Sequence, residues 1–336
     1  MRHRTPRQFN ALVASYRKYW TQAHFLGPVG RAQREAKLQA LQDQLLQAFK
    51  PLGPGREIPI ERRKNLSDRE FLEVYYRQGI PVIFQGKAKH WQAVQDWSPE
   101  WLSQHYGEDP VALIDAAPQD IEAIDYELKY TTLAELVKEM DNHPLEKYSR
   151  FNRLLYDHPE LHSHFDVAWF KKLRSPLSSG QTFQVFIGGK NSHTHLHAAA
   201  EPNLFTQIYG QKHWVFYPPE YDALLRPPVY RNPYFHSAYN PDKPDYAAYP
   251  VMAHADYYTC LLEPGDVLFN PSSWWHHINN PTGSIGMGFR WFPLPHVWKM
   301  DWTQTLLTLC ATEPPLWHVL PHRDNFAKIF SHMKKK

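Results

Sequence analysis

Two histidine-bearing segments, far apart in the chain, constrain this sequence more than anything else in it. The first is His193-Thr194-His195-Leu196-His197, followed shortly by Glu201; the second is Trp274-Trp275-His276-His277. Side chains alternate faces along a strand. An extended run over 193–197 would therefore turn His193, His195 and His197 to one face. Imidazole is a good donor for iron, copper, nickel or zinc, and Glu201 could add a hard oxygen ligand. Downstream, Gly265-Asp266-Val267-Leu268-Phe269-Asn270-Pro271 reads as a turn, a strand and a stop that deliver 274–277 onto the next strand. His276 and His277 must then face opposite sides, so at most one of them points inward. Trp274 and Trp275 are expected to pack rather than react. The two segments together predict one metal site assembled from distant strands.

Composition bounds the rest. At 336 residues the chain can form one large domain or two modest ones. A hydrophobic fraction of 43% and an aromatic fraction of 15% support a substantial core, and 29 prolines argue against a helical bundle. A net charge of +3 does not point to nucleic acid. The two cysteines, Cys260 and Cys310, make a disulfide framework an unexpected solution and suggest a reducing compartment. No apolar run reaches membrane-spanning length, and Met1-Arg2-His3-Arg4 lacks an apolar signal core. The expectation is a cytoplasmic protein with no membrane partner.

Four regions follow from local signals. Residues 1–53 form an N-terminal helical extension, with Leu38, Leu41, Leu45 and Leu46 at helix spacing, closed by Pro51-Leu52-Gly53-Pro54-Gly55. Residues 54–180 read as an α+β flank. Its capping boxes are Ser67-Asp68-Arg69-Glu70 and Thr132-Leu133-Ala134-Glu135; Ser98-Pro99 starts another helix, and Pro81–Phe84 is a short strand. Residues 181–295 are β-rich, with strand candidates at 182–187, 204–209, 213–217, 257–262, 267–269 and 285–291 separated by Gly, Pro and Asn. Residues 296–336 carry helices near 302–309 and 325–333 and end on a solvated lysine tail. Between strands, Pro227–Pro250 is a long insertion rich in Tyr and Phe, a candidate lid or substrate wall.

The segments Gly188–His197, Asn203, Gln207–Lys212, Tyr217-Pro218-Pro219, Glu263–Leu268 and Trp274-Trp275-His276 resemble, as a set, the cupin-like JmjC oxygenases. The resemblance covers roughly residues 56–295. It implies a mainly β fold with flanking helices, the double-stranded β-helix or jelly-roll barrel. It also implies Fe(II), 2-oxoglutarate and O2 as cofactor and cosubstrates. By position His197 matches the first metal-binding histidine and His276 the last. Lys212 matches the lysine that pairs with the distal carboxylate of 2-oxoglutarate, and Thr194 and Asn203 match positions that contact that cosubstrate.

The family pattern is His-x-Asp/Glu…His, and here Ala199 stands at the carboxylate position. A methyl group cannot bind metal. His195 or Glu201 could replace the missing ligand; a chloride ion could occupy the vacancy, as in iron halogenases; water could complete a weaker two-histidine site; or the barrel could be an inactive binding module. The favoured expectation is an Fe(II)/2-oxoglutarate-dependent oxygenase of hydroxylase type with an atypical metal site, with the halogenase and the binding protein as alternatives. The substrate, a protein side chain or a small molecule, is not readable from the sequence. The C-terminal helices resemble a dimerising tail, which predicts a homodimer.

Overall fold

The computed structural model describes residues 2–115, 129–138, 140, 147–174, 177–229 and 235–310. Within them the strands in chain order are β1 (Glu57–Pro59), β2 (Glu61–Arg63), β3 (Val82–Phe84), β4 (Pro110–Asp115), β5 (Lys129–Thr132), β6 (Lys147–Asn152), β7 (Ser179–Gly188), β8 (His193–Ala198), β9 (Asn203–Tyr209), β10 (Lys212–Tyr217), β11 (Phe235–His236), β12 (Tyr257–Leu262), β13 (Val267–Asn270), β14 (Trp275–Asn279) and β15 (Ser284–Phe292). They form two sheets, one in the order β1-β12-β10-β14-β8-β11 and one in the order β2-β3-β13-β9-β15-β7-β6-β4-β5. Neighbours within the β7–β15 region pair antiparallel, and the strands alternate between sheets from β7 to β10 and again from β12 to β15, which gives the two-layered jelly roll the sequence predicts.

The central strands β9, β13 and β15 are buried along nearly their whole length, polar residues such as Asn203 and Gln207 included. Between the sheets lies a core that includes Ile83, Phe186, Phe205, Trp214, Phe216 and Ile278. The outer face of the large sheet is covered by the flank, through Trp91, Trp97, Leu102, Trp169 and Phe170. Local signals in this flank act as expected. The Ser67 side chain accepts from the Glu70 amide at 3.2 Å, and that of Ser98 from the Trp101 amide at 3.1 Å. The helix after Ser67 differs from a regular α-helix in one respect: Phe71–Tyr76 adopts π-helical turns. Wider turns bring Phe71, Tyr75 and Tyr76 to one buried face, a spacing an α-helix would splay.

The small sheet is covered by α1 (Phe9–Leu26) and α2 (Arg31–Phe49). Phe9, Val13, Tyr16 and Trp20 recur at helical spacing and pack with Leu41, Leu45 and Phe49 against Val215, Tyr217 and Trp275. The described part of the insertion, 227–229 and 235–250, joins this layer. Phe235 lies 5.3 Å from Trp20 and Tyr239 lies 6.1 Å from Tyr217, so these two aromatics are core rather than a free lid. Tyr230 and Tyr234, also expected in that wall, lie outside the described residues, as does the helix expected near 325–333. The helix expected near 302–309 is present as Trp302–Cys310. Among the described residues no helix is long and apolar enough to cross a membrane.

Candidate metal and cosubstrate site

The site begins with the pairing of β8 and β14. His197 stands opposite His276, Thr194 opposite Ile278 and His193 opposite Asn279, and the register shifts between the first two pairs. Two residues of β8, His195 and Leu196, therefore face His277 alone. Such a bulge breaks the alternation of side chains. Thr194 and His197 share the inner face with His276, whereas His193 and His195 go to the outer one. The His195 ring lies 4.8 Å from that of His193, which in turn lies 6.2 Å from His277. The expectation that His193, His195 and His197 share a face is thus corrected. His195 is directed away from the inner pair, and its candidacy as replacement ligand loses its geometric basis. Glu201 sits half-buried in the bend after β8.

His197 and His276 are both buried, with ring centroids 4.1 Å apart. Nδ1 of His197 lies 2.8 Å from the His195 carbonyl oxygen, and Nδ1 of His276 lies 2.9 Å from that of Trp274. A carbonyl has no proton to give, so each Nδ1–H is the donor. Burial pushes both imidazoles toward neutrality: His276 falls to about 3, and His197 falls well below its ordinary value, with His276 and His236 adding to the effect. A neutral ring that donates from Nδ1 presents Nε2 as a lone-pair donor, the tautomer a metal requires. His277 faces outward, as the alternation predicts, with Nε2 2.7 Å from Asp242 Oδ2. Trp275 is fully buried in the outer core and Trp274 donates to the Gly79 carbonyl at 2.8 Å, both packing roles.

A second set of inner-face groups surrounds Lys212. Its ammonium is buried, donates to Asn280 Oδ1 at 2.7 Å, and lies 5.4 Å from the Tyr148 ring and 5.6 Å from that of Phe205. Asn280 in turn donates to Ser192 Oγ at 2.7 Å, and Ser192 to the Gly189 carbonyl at 2.7 Å, so Lys212 is aimed by a fixed chain. A Cβ on Gly188 would meet Ser192, Asn280 and Tyr148 at under 3.0 Å, so this position has to be glycine for the chain to pack. Tyr148 shares a hydrogen bond with Thr194. Burial pushes the Lys212 ammonium down to about 7, and the nearby Arg150 guanidinium pushes the same way.

Asn203 completes the lining. It stands opposite both Asn270 and Arg290, and Arg290 stands opposite Thr182. Both amide atoms of Asn203, Thr182 Oγ1 and Arg290 Nε are buried without a hydrogen-bond partner in the structure. A Cβ at Gly288 would meet Asn203 Oδ1 at 2.9 Å; the missing side chain is what lets the amide lie there. Several cations and orphaned polar groups around one interior space are costly unless a ligand satisfies them. A dicarboxylate would supply acceptors for the remaining Lys212 donors at one end and for Arg290 Nε, Thr182 Oγ1 and the Asn203 amide nitrogen at the other, so the residues fit 2-oxoglutarate. The imidazole pair fits a divalent iron-type ion. Among the described residues, though, no three His, Cys, Asp or Glu side chains converge as a finished metal shell. Ala199 adds no donor, and its carbonyl accepts from the Ser273 amide at 2.8 Å.

Sequence reasoning missed Tyr148, Arg150, Arg290, Asn270 and His236. Tyr148 and Arg150 lie on β6, which follows a stretch without clear strand punctuation, and the pairing of Tyr148 with Gly188 of β7 is what sets its ring beside Lys212. His236 lies on a two-residue strand, too short for any periodicity to show.

Residues 68–295 match the cupin-like domain, and with its JmjC-type relatives this places the chain in the JmjC cupin family. It is similar to the human tRNA wybutosine-synthesizing protein 5, with 27% identity over 72% of this chain and 80% of that protein. It is also similar to the human bifunctional peptidase and (3S)-lysyl hydroxylase JMJD7, at 23% identity over 70% of this chain and 85% of the relative. The arginine-specific demethylase JMJ20 of Arabidopsis thaliana is 24% identical over 71% of this chain, which spans 58% of that protein. The family therefore includes hydroxylases and demethylases of the 2-oxoglutarate oxygenase type.

Proposed function

We propose that this protein is an Fe(II)/2-oxoglutarate-dependent oxygenase of the hydroxylase type. The observation that carries the reading is the buried Lys212 ammonium, held by the neutral Asn280 amide beside Tyr148 and Phe205, in the same inner layer as the buried His197–His276 pair. Burying an ammonium without a counter-charge is costly, and a bound anion would relieve that cost. His197 and His276 would hold the metal through Nε2. Lys212 would neutralise the cosubstrate's distal carboxylate, with Tyr148 and Thr194 satisfying its remaining lone pairs, whereas Arg290, Thr182 and Asn203 stand at the His276 end of the strands, beside Asn270. Bound Fe(II), with 2-oxoglutarate and O2, supplies oxidation of an unactivated C–H bond. The protein's own contribution is orientation and exclusion of water by the buried aromatic core of Trp214, Phe216 and Phe205 beside His276 and Lys212. Ala199 favours a second reading, a binding module that has lost its metal, and metal titration separates the two.

Lys212 gives this reading a pH signature. Its ammonium titrates near 7 in the free protein, far below 10.5, and a bound carboxylate would restore the charged form. Free protein and complex then bind equal numbers of protons below pH 7. Above that pH, binding takes up a proton, and affinity falls by up to tenfold per pH unit. Calorimetry between pH 6.5 and 8.5, in buffers of different ionisation enthalpy, should show both the slope and the uptake. Lys212→Met should weaken 2-oxoglutarate binding by about 10- to 150-fold, from a charge-assisted bond of about 1.5–3 kcal/mol, and should flatten the profile. Unchanged affinity in this variant would remove Lys212 from the site.

A further inference from the structure

β8 has a neighbour on each side, β14 and β11. His197 in the middle strand stands opposite His276 on one side and His236 on the other. Residues directly opposite in antiparallel strands share a face, with Cβ atoms about 4.5–5.5 Å apart. The three imidazoles therefore form a row on the inner face, and all three are buried. We propose that His236 is the third protein ligand of the metal, filling the role that Ala199 cannot. The inference rests on the oxygenase reading of the same site.

The distances suit this role after a small adjustment. An ion holding two imidazoles through bonds of about 2.1 Å sets their ring centroids roughly 4.5–5.5 Å apart. The His197 ring is 4.1 Å from that of His276 and 5.8 Å from that of His236. Each separation is within about 1 Å of that range, one short and one long. Metal binding would have to draw the His236 ring toward the pair from its present ring contact with His197. The backbone there is pinned: the Ser237 amide donates to the Leu196 carbonyl at 3.0 Å, and Ser237 Oγ to the Leu225 carbonyl at 2.6 Å. Phe235, on the opposite face of the strand, is locked against Trp20.

The chemistry differs from that of a site with one carboxylate. Three neutral imidazoles leave the full charge of a divalent ion uncompensated by protein, which strengthens the hold on an anionic cosubstrate. Nitrogen-only donors also favour iron, cobalt, nickel and zinc over magnesium and manganese, which prefer oxygen.

Co(II) is a suitable probe because its visible absorption reports the ligand set as well as occupancy. The full chain, His236→Ala, His236→Gln and His276→Ala would be titrated with Co(II) by calorimetry and absorption, with thermal melting of each metal-free variant as a fold control. Both His236 variants should bind Co(II) at least tenfold more weakly than the native chain and show an altered absorption band. Adding Ala199→Asp to His236→Ala should recover affinity. His236→Gln preserves side-chain volume and gives the answer if the alanine variant fails to fold. Native-like affinity and absorption in the His236 variants, with binding lost in His276→Ala, would overturn this proposal alone. Failure of the native chain to bind Co(II) would overturn the metal reading and this inference with it.

Discussion

His276→Ala will reduce affinity for Fe(II) or Co(II) by at least about 100-fold, whereas its neighbour variant His277→Ala will stay within about threefold of the native protein; losing a residue that merely hydrogen-bonds to a ligand costs about 10- to 100-fold, and loss of a ligand exceeds that. The contrast follows from the strand. Adjacent residues of β14 face opposite sides, which puts His276 against His197 inside and His277 against Asp242 outside. The hydrogen bond from His277 holds the Asp242 carboxyl down at about 2. His277→Ala should therefore cost about 1 kcal/mol of stability, discounted because Asp242 is one-third exposed, and no metal affinity. Calorimetric titration and thermal melting of both variants test this. Equal losses of metal affinity would contradict the inward assignment of His276.

Arg17→Ala will destabilise the protein by about 3–5 kcal/mol, the range for leaving buried charge without its partner. Arg17 on α1 donates from Nε to Asp222 at 2.7 Å and from Nη2 to Asp301 at 2.6 Å, and both carboxylates are almost fully buried. One guanidinium thus clamps the N-terminal helix to the turn after β10 and to the C-terminal helices. It serves two acids at once. Burial pushes Asp222 up to about 7 despite the ion pair, with Arg17 opposing, and Asp301 is raised for the same reasons. A carboxyl whose folded value lies above its unfolded one binds more protons in the folded state, so stability falls as pH rises from about 4 toward 7. Without Arg17 both acids are raised further. The deficit of Arg17→Ala should consequently be smaller at pH 5 than at pH 8, and replacing Asp222 and Asp301 by asparagine in that background should recover part of it. Urea unfolding at the two pH values measures each effect; a deficit below 1 kcal/mol would show that the clamp adds little.

The jelly roll was legible because its strands are bounded by Gly, Pro and Asn and because the two histidine segments had to meet. The helix starts at Ser67, Ser98 and Thr132 were legible for a local reason: each cap is satisfied within three residues. What escaped depended on pairing rather than pattern. Strict alternation put His195 beside His197, and a single extra residue in β8 moved it to the other face. Tyr148, Arg290 and His236 became site residues only through their cross-strand partners, Gly188, Asn203 and His197. The aromatic insertion looked like a lid from composition, but Phe235 and Tyr239 are consumed by the core that seats α1.

The central claim is that one interior space binds an iron-type ion and 2-oxoglutarate together. Anaerobic calorimetry of 2-oxoglutarate into the native chain, with and without one equivalent of Fe(II), tests it most directly. The account predicts one cosubstrate per chain, bound at least tenfold more tightly when Fe(II) is present. Absence of binding under both conditions, or an affinity indifferent to the metal, would contradict it.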